Sequence, residues 1–185
     1  MSENHLIELI ANGDKLAFRE LYDLHSAKVY NTALSYTQDV SDAEEITQDV
    51  FTSIYKYASS FKSESKVSTW IYRITVNTAL NYQKKKKRAR FFSLTDSDYE
   101  KPDFNHPGIL LENQEQNSLL FIAINQLPNS QKTAFILSYI EETPRQDVAD
   151  IMDTSLKAVE SLLHRAKANL RKELEKYHPN RRIVK

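Results

Sequence analysis

The stretch Ser41-Asp-Ala-Glu-Glu-Ile-Thr-Gln-Asp-Val-Phe-Thr-Ser-Ile-Tyr-Lys-Tyr57 decides the fold. Ala43, Ile46, Val50, Ile54 and Tyr57 recur at steps of 3, 4, 4 and 3, the spacing that lines one face of an α-helix. Ser41 followed by Glu44 reads as a capping box at its start. Asp42, Glu45 and Asp49 step by 3 and 4 along a second edge. Like charges so placed repel by roughly tenths of a kcal/mol per pair. A basic partner explains such a stripe, and so does plain solvation of an outer face. A metal site is the weakest of the three readings, because no His stands at ligand spacing.

The helical period continues on both sides. Upstream, after a short N-terminal segment, Phe18, Leu21, Tyr22, Val29, Ala33 and Leu34 predict a helix over about 14–36. Downstream, Phe61-Lys-Ser-Glu-Ser-Lys-Val-Ser-Thr69 is polar and aperiodic, which predicts a loop ending in a helix start near Val67 or Ser68. Val67, Ile71, Ile74 and Thr78 then mark the inward stripe of a third helix, running to about Lys87.

Residues 91–112 hold three aspartates, two of the five prolines and one of the two glycines. That composition predicts a flexible linker between a first domain over 1–90 and a second over 113–178, with a basic tail at 179–185. In the second domain Leu119, Leu120, Ile122, Ala123 and Leu127 form one helical piece, Pro128 interrupts, and Ala134, Phe135, Leu137 and Ile140 form another. Thr143-Pro144 reads as a cap with a first-turn proline, opening a short helix with Val148, Ala149 and Met152. Asp153-Thr154 is the turn, and Ser155 caps a last helix with an apolar stripe of Val159, Leu162, Leu163, Ala166, Leu170 and Leu174. The expected fold is all-α: two small helical domains, the second containing a helix-turn-helix.

Composition narrows the function. At 185 residues the chain suits one ordinary domain or two small ones. A mean hydropathy of −0.57 and the lack of an apolar run near the roughly 20 residues of a membrane span argue against membrane insertion. With only 2 glycines, glycine-rich phosphate loops lack their usual residue. With no cysteine there is no thiol nucleophile, disulfide or cysteine-ligated zinc, and the first residues carry no basic-then-apolar leader pattern. A cytoplasmic address is the default. The formal net charge is zero, yet residues 1–50 carry −7, 51–92 carry +9, 93–154 carry −8 and 155–185 carry +6. Screening beyond roughly 8 Å keeps a distant acidic block from cancelling a local basic one.

Three constellations stand out. Trp70, Arg73, Asn77, Asn81 and Lys84 fall on one stripe of the third helix, interleaving ring, amide and cation in a way that suits unstacked bases. Packing of Trp70 in the core with solvated asparagines is the competing account. The run Lys84-Lys-Lys-Lys-Arg-Ala-Arg90 continues that helix, and is either a phosphate-binding surface or a solvated basic end. From Thr143 to Leu174, a short helix, a turn and a longer helix match a helix-turn-helix whose outward stripe is Lys157, Glu160, Ser161, His164 and Arg165. Helical hairpins also occur in folds that bind no DNA. The five histidines show no ligand or triad spacing, and no nucleophile context is recognisable.

In order and spacing, these motifs resemble the small extracytoplasmic-function sigma factors of bacterial RNA polymerase. Asp42-Ala-Glu-Glu-Ile-Thr-Gln-Asp-Val-Phe51 is similar to that family's polymerase-docking segment. Phe61 through Trp70, with Ile71-Tyr-Arg-Ile-Thr-Val-Asn77, is similar to its loop and helix that capture the melted minus-ten element. Leu127-Pro128 and Val148-Ala149 through Arg165-Ala166 are similar to its minus-thirty-five-binding domain. The resemblance implies polymerase contacts at Asp42, Glu45, Gln48, Asp49 and Phe51. It implies minus-ten contacts at Phe61, Lys62, Ser65, Lys66, Ser68, Thr69, Trp70, Arg73, Asn77, Asn81, Lys84, Lys85 and Arg88, and minus-thirty-five contacts at Ser155, Lys157, Ser161, His164 and Arg165. The expected partners are core RNA polymerase, promoter DNA in duplex and melted form, and an anti-sigma protein. Cofactor, metal and small-molecule ligand are not expected, and the chain itself is not expected to be an enzyme. A stand-alone DNA-binding regulator and a metal-dependent nuclease are the alternatives. Two departures matter: Asp153 stands where many relatives have Gly, and Glu160 and Leu162 stand where relatives often carry basic residues. Glu160 cannot hold a phosphate.

Overall fold

The computed structural model describes residues 2–93 and 114–177. All regular structure among them is helical, and the chain divides into two compact units, Met1–Asp96 and Ser97–Lys185.

The first unit contains α1 (Glu3–Ala11), α2 (Lys15–Thr37), α3 (Val40–Tyr57), a 3₁₀ turn at Ala58–Ser60 and α4 (Val67–Ser93). Helix α1 forms where only a short segment was expected. Ser2 caps it, accepting from the His5 N–H at 3.4 Å, and Leu6, Ile7 and Ile10 are buried. It stops in a Schellman motif: Gly13 N–H donates to Ile10 O at 2.9 Å and Asp14 N–H to Leu9 O at 3.0 Å. Gly13 sits at φ 86, a left-handed conformation that costs a glycine nothing. Asp14 then caps α2, accepting from the N–H groups of Leu16 at 2.8 Å and Ala17 at 3.1 Å.

Two local expectations are corrected here. The cap of α3 is Asp39, which accepts from the Asp42 N–H at 2.9 Å, so Ser41 lies inside the first turn and forms no capping box with Glu44. Gln38 closes α2 at φ 56, so the turn between the helices uses 38–39. The inward row of α4 is Val67, Ile71, Thr75 and Ala79, all buried, whereas Ile74 and Thr78 are only half-buried. A threonine faces the core because its hydroxyl donates within the helix to Ile71 O at 2.9 Å, leaving its methyl to pack. Leu21, Ala33, Ile46, Val50 and Ile54 complete this core. Of the expected linker, 91–93 belong to α4 and 94–112 lie outside the described residues, as does the 179–185 tail.

The second unit contains α5 (Gln114–Asn125), α6 (Asn129–Phe135) continuing as a π-helical segment (Ile136–Ile140), α7 (Arg145–Ile151) and α8 (Leu156–Glu175). Phe121, Ile124, Leu137, Val148, Ala149, Val159, Leu163 and Ala166 are buried at its centre. Lys132 is buried as well, its ammonium donating to Asn125 Oδ1 at 2.6 Å. Pro144, not Thr143, occupies the cap position of α7: its carbonyl accepts the first helical bond, from Val148 N–H at 3.0 Å. Ile151 is buried in place of Met152. Asp153 takes the left-handed conformation at φ 49, as the Gly-to-Asp departure requires. Asp153 N–H donates to Asp150 O at 3.3 Å and Thr154 N–H to Ala149 O at 3.0 Å, a Schellman closure built on Asp. Ser155 caps α8, accepting from the Ala158 N–H at 3.2 Å.

Replacing the cap should separate the two readings of the α3 start. Asp39→Ala is expected to cost about 1 kcal/mol and Ser41→Ala a few tenths at most, measured by urea unfolding of the full chain.

Candidate docking and nucleic-acid interface

On α3, Glu45, Gln48 and Asp49 are exposed. Asp42 is not free. The Tyr82 hydroxyl shares its proton between Asp42 Oδ1 at 2.8 Å and Glu45 Oε2 at 3.1 Å, and the Lys86 ammonium pairs with Asp42 Oδ2. The Asp42 side chain is 13% exposed and that of Lys86 38%. Part of the basic partner expected for the acidic stripe is therefore α4 itself. Burial first, and then the bond to Asp42, push the Tyr82 phenol far above its usual value of 10; deprotonation would set a phenolate beside two carboxylates. Phe51 is 3% exposed. Its ring packs against Phe18 at 6.3 Å and Tyr22 at 4.6 Å between centroids, which makes it a core residue and removes it from the docking surface.

A groove of about 420 Å³ runs between α3 and α4, lined by Glu45, Asp49 and Lys56 on one wall and by Asn81, Tyr82 and Lys85 on the other. Residues assigned from the sequence to two different partners thus meet in one groove. Further along α4, Asn77, Lys84 and Arg88 are exposed and Arg73 is half-buried. At the N-terminal end of α4 the half-buried rings of Phe61 and Trp70 lie 5.1 Å apart at 43°. Trp70 is neither a fully packed core residue nor a free ring. In the intervening loop Lys62 and Lys66 are exposed, Ser65 is half-buried and Ser63 is left-handed at φ 56; Ser68, in the first turn of α4, is half-buried. Thr69 is 4% exposed: it faces the core and offers no surface to DNA.

On α8, Lys157, Ser161, His164 and Arg165 are exposed. Arg165 Nε donates to Ser161 O at 3.3 Å, so this guanidinium lies back along its own helix. Ser155 is exposed, but its oxygen is used in the cap. Glu160 pairs with Arg145 at 4.0 Å. Sequence reasoning missed Tyr82, Arg145 and Tyr139, and placed Lys86 only within the basic run, not as the partner of Asp42. Tyr139 lies in the π-helical segment with the Lys167 ammonium 4.6 Å from its ring centroid. The bond from Lys167 lowers its phenol pKa against the opposing effect of burial. Tyr82 could have been flagged as one residue past Asn81; nothing in the spacing marks the others. Among the described residues no group of three or more His, Cys, Asp or Glu could hold a metal, and no helix is long and apolar enough to cross a membrane.

With this geometry in view, residues 21–89 match the family description "Sigma-70 region 2" and 123–170 match "Sigma-70, region 4". The chain is 30% identical over 183 residues to the ECF RNA polymerase sigma-E factor of Haemophilus influenzae, covering 95% of this chain and 96% of that one. The chain belongs to the extracytoplasmic-function sigma factors. It is also 28% identical over 181 residues to the ECF sigma factor SigW of Bacillus subtilis, with 91% and 94% covered. In fold, this sigma factor is similar to CnrH in its complex with the cytosolic domain of CnrY (TM-score 0.69, 20% identity, 94% and 97% covered). It is similar as well to the sigma factor RpoE of Bartonella quintana in complex with the anti-sigma factor NepR (TM-score 0.64, 24% identity, 85% and 96% covered). It is accordingly a dissociable specificity subunit of RNA polymerase, a transcription initiation factor. Its region 2 match spans most of α2, all of α3 and most of α4, whereas α1 precedes it.

Tyr82→Phe removes the shared proton and leaves two carboxylates facing each other. It should destabilise region 2 by about 1 kcal/mol. The wild-type fold holds the Tyr82 proton after the unfolded chain has released its own, so this contribution is intact below pH 10 and lost as pH rises past it. Alkaline absorbance titration should show a late phenol in the wild type that Tyr82→Phe lacks.

Proposed function

We propose that the two units divide promoter recognition: residues 1–90 dock on core polymerase and capture the melted minus-ten strand, and residues 113–178 read the minus-thirty-five element in the major groove. The observation that carries this is the run of exposed amides and cations along α4, Asn77, Asn81, Lys84, Lys85 and Arg88, starting beside the Phe61–Trp70 ring pair. Rings stack on any base, amides read base edges, and cations hold the backbone. Arg73, Lys62, Lys66, Ser65 and Ser68 complete the proposed strand-binding surface. A base extruded from the duplex costs a few kcal/mol, which the loop over 61–66 and the N-terminal part of α4 must recover.

Glu45, Gln48 and Asp49 present exposed acceptors to basic groups of the polymerase, with Asp42 acting as a brace through Tyr82 and Lys86. On α8 the proposed reading residues are Lys157, Ser161, His164 and Arg165, and Ser155 orients the helix through its cap. Nucleotide chemistry belongs to the polymerase, so the chain needs no catalytic group, cofactor or metal of its own. Its place of action is the cytoplasm. An anti-sigma protein is the proposed inhibitor, as NepR is the anti-sigma partner in the complex with RpoE of Bartonella quintana.

Asn77→Ala should lower open-complex formation, read by permanganate footprinting, while core affinity stays at the wild-type value. Asp49→Ala should weaken core association by several-fold. Equal core affinity for Asp49→Ala and wild type would remove the docking assignment, and tight promoter-duplex binding by the free chain would favour a stand-alone regulator.

A further inference from the structure

Glu160 is the fifth residue of α8, on the outward side that also carries Lys157, Ser161 and His164. In a helix-turn-helix this part of the second helix meets base edges. A carboxylate there is unusual, since it faces a polyanion and contributes nothing to phosphate binding. Two observations indicate what it does. The carboxylate of Glu160 accepts no hydrogen bond from the described residues, so its lone pairs remain available. Its charge is nevertheless offset: Arg145 at the start of α7 approaches to 4.0 Å, with both side chains 53% exposed. That separation is too long for a hydrogen bond. Lys157 and His164 stand one turn away on either side along α8.

In the major groove cytosine presents an N4 amino donor, guanine presents only acceptors at N7 and O6, and thymine presents an O4 acceptor beside its methyl group. Adenine sets an N6 donor next to the N7 acceptor. An ionised carboxylate only accepts, so it matches cytosine, half-matches adenine, and is repelled by guanine and thymine. We infer that Glu160 is a specificity-determining residue of this sigma factor, selecting cytosine at one position of the minus-thirty-five element. Arg145 offsets its charge and holds the adjoining phosphate. The inference rests on the reading of α7 and α8 as the minus-thirty-five-binding element.

The test uses full-length wild type, Glu160→Ala, Glu160→Gln and Arg145→Ala, each joined to purified core polymerase. Each holoenzyme transcribes a promoter library randomised across the minus-thirty-five element, and the transcripts are sequenced. The wild type should prefer cytosine over thymine at one position by roughly five- to a hundredfold. Glu160→Ala should flatten that position and leave its neighbours unchanged, and Glu160→Gln should shift it towards adenine, which an amide pairs through N6 and N7. Arg145→Ala should lower initiation about equally on all sequences while keeping the cytosine. Identical base profiles for wild type and Glu160→Ala overturn the inference, as does a uniform loss in Glu160→Ala with the profile intact, which would make Glu160 only a positioning residue for Arg145. If no minus-thirty-five position affects initiation by the wild type, the assignment of α7 and α8 falls, and the role of Glu160 with it.

Discussion

Region 2 depends on the seam between α3 and α4. Ile46, Val50 and Ile54 on α3 and Ile71, Thr75 and Ala79 on α4 are buried. At the outer edge of the seam an apolar contact would expose itself to water. Tyr82 and Lys86 hold Asp42 and Glu45 there instead. The Gln83 amide adds a tie across the fold by donating to Tyr36 O, so adjacent residues of α4 are anchored to α3 and to α2. This fixes the rotation of α4, and with it the direction in which Asn77, Asn81 and Lys84 point. A strand-binding surface made of single side chains at helical spacing works only if the helix cannot turn about its axis, since a rotation of one residue moves a side chain by about 100°.

Much of this was legible in the chain because the signals were periodic. The 3-and-4 spacing of Ala43 through Tyr57 places α3, and Ser155 before the Val159–Leu163–Ala166–Leu170 row places α8 and its cap. What misled was local polarity. The predicted inward face of α4 ran through Ile74 and Thr78, whereas Thr75 takes the inward place, its hydroxyl satisfied within the helix. Ser41 followed by Glu44 has the form of a capping box, but the cap falls two residues earlier, on Asp39, because Gln38 closes α2 at φ 56, and no pattern announces a left-handed glutamine. The resemblance implied contacts at Phe51 and Thr69, but both are buried; a helix turns 100° per residue, and contiguous residues of a motif cannot share one face.

The candidate site was legible in kind and less so in its connections. The sequence separates acids on α3 from bases on α4 by some 40 positions, and charge blocks of −7 and +9 suggest separate partners. Antiparallel packing undoes that separation. Glu45 and Asp49 share a groove with Asn81 and Lys85, and the Lys86 ammonium pairs directly with Asp42. Segregation along the chain therefore does not mean segregation in space, and linear charge bookkeeping overstated the independence of the two surfaces.

Asp42 on α3 and Glu160 on α8 each meet a base of a neighbouring helix, and the two pairs are physically different. Asp42 is largely withdrawn from water and is held by two partners, the Tyr82 hydroxyl and the Lys86 ammonium. Removing any one partner of such a group leaves a buried charge under-compensated, a cost well above that of a surface pair. Glu160 and Arg145 are both half in solvent and 4.0 Å apart, a pair worth about 0–1 kcal/mol. The fold gains almost nothing from it, so stability does not account for an acid on the reading helix. With stability set aside, the use proposed for this charge is to distinguish the bases that donate to it from those that do not.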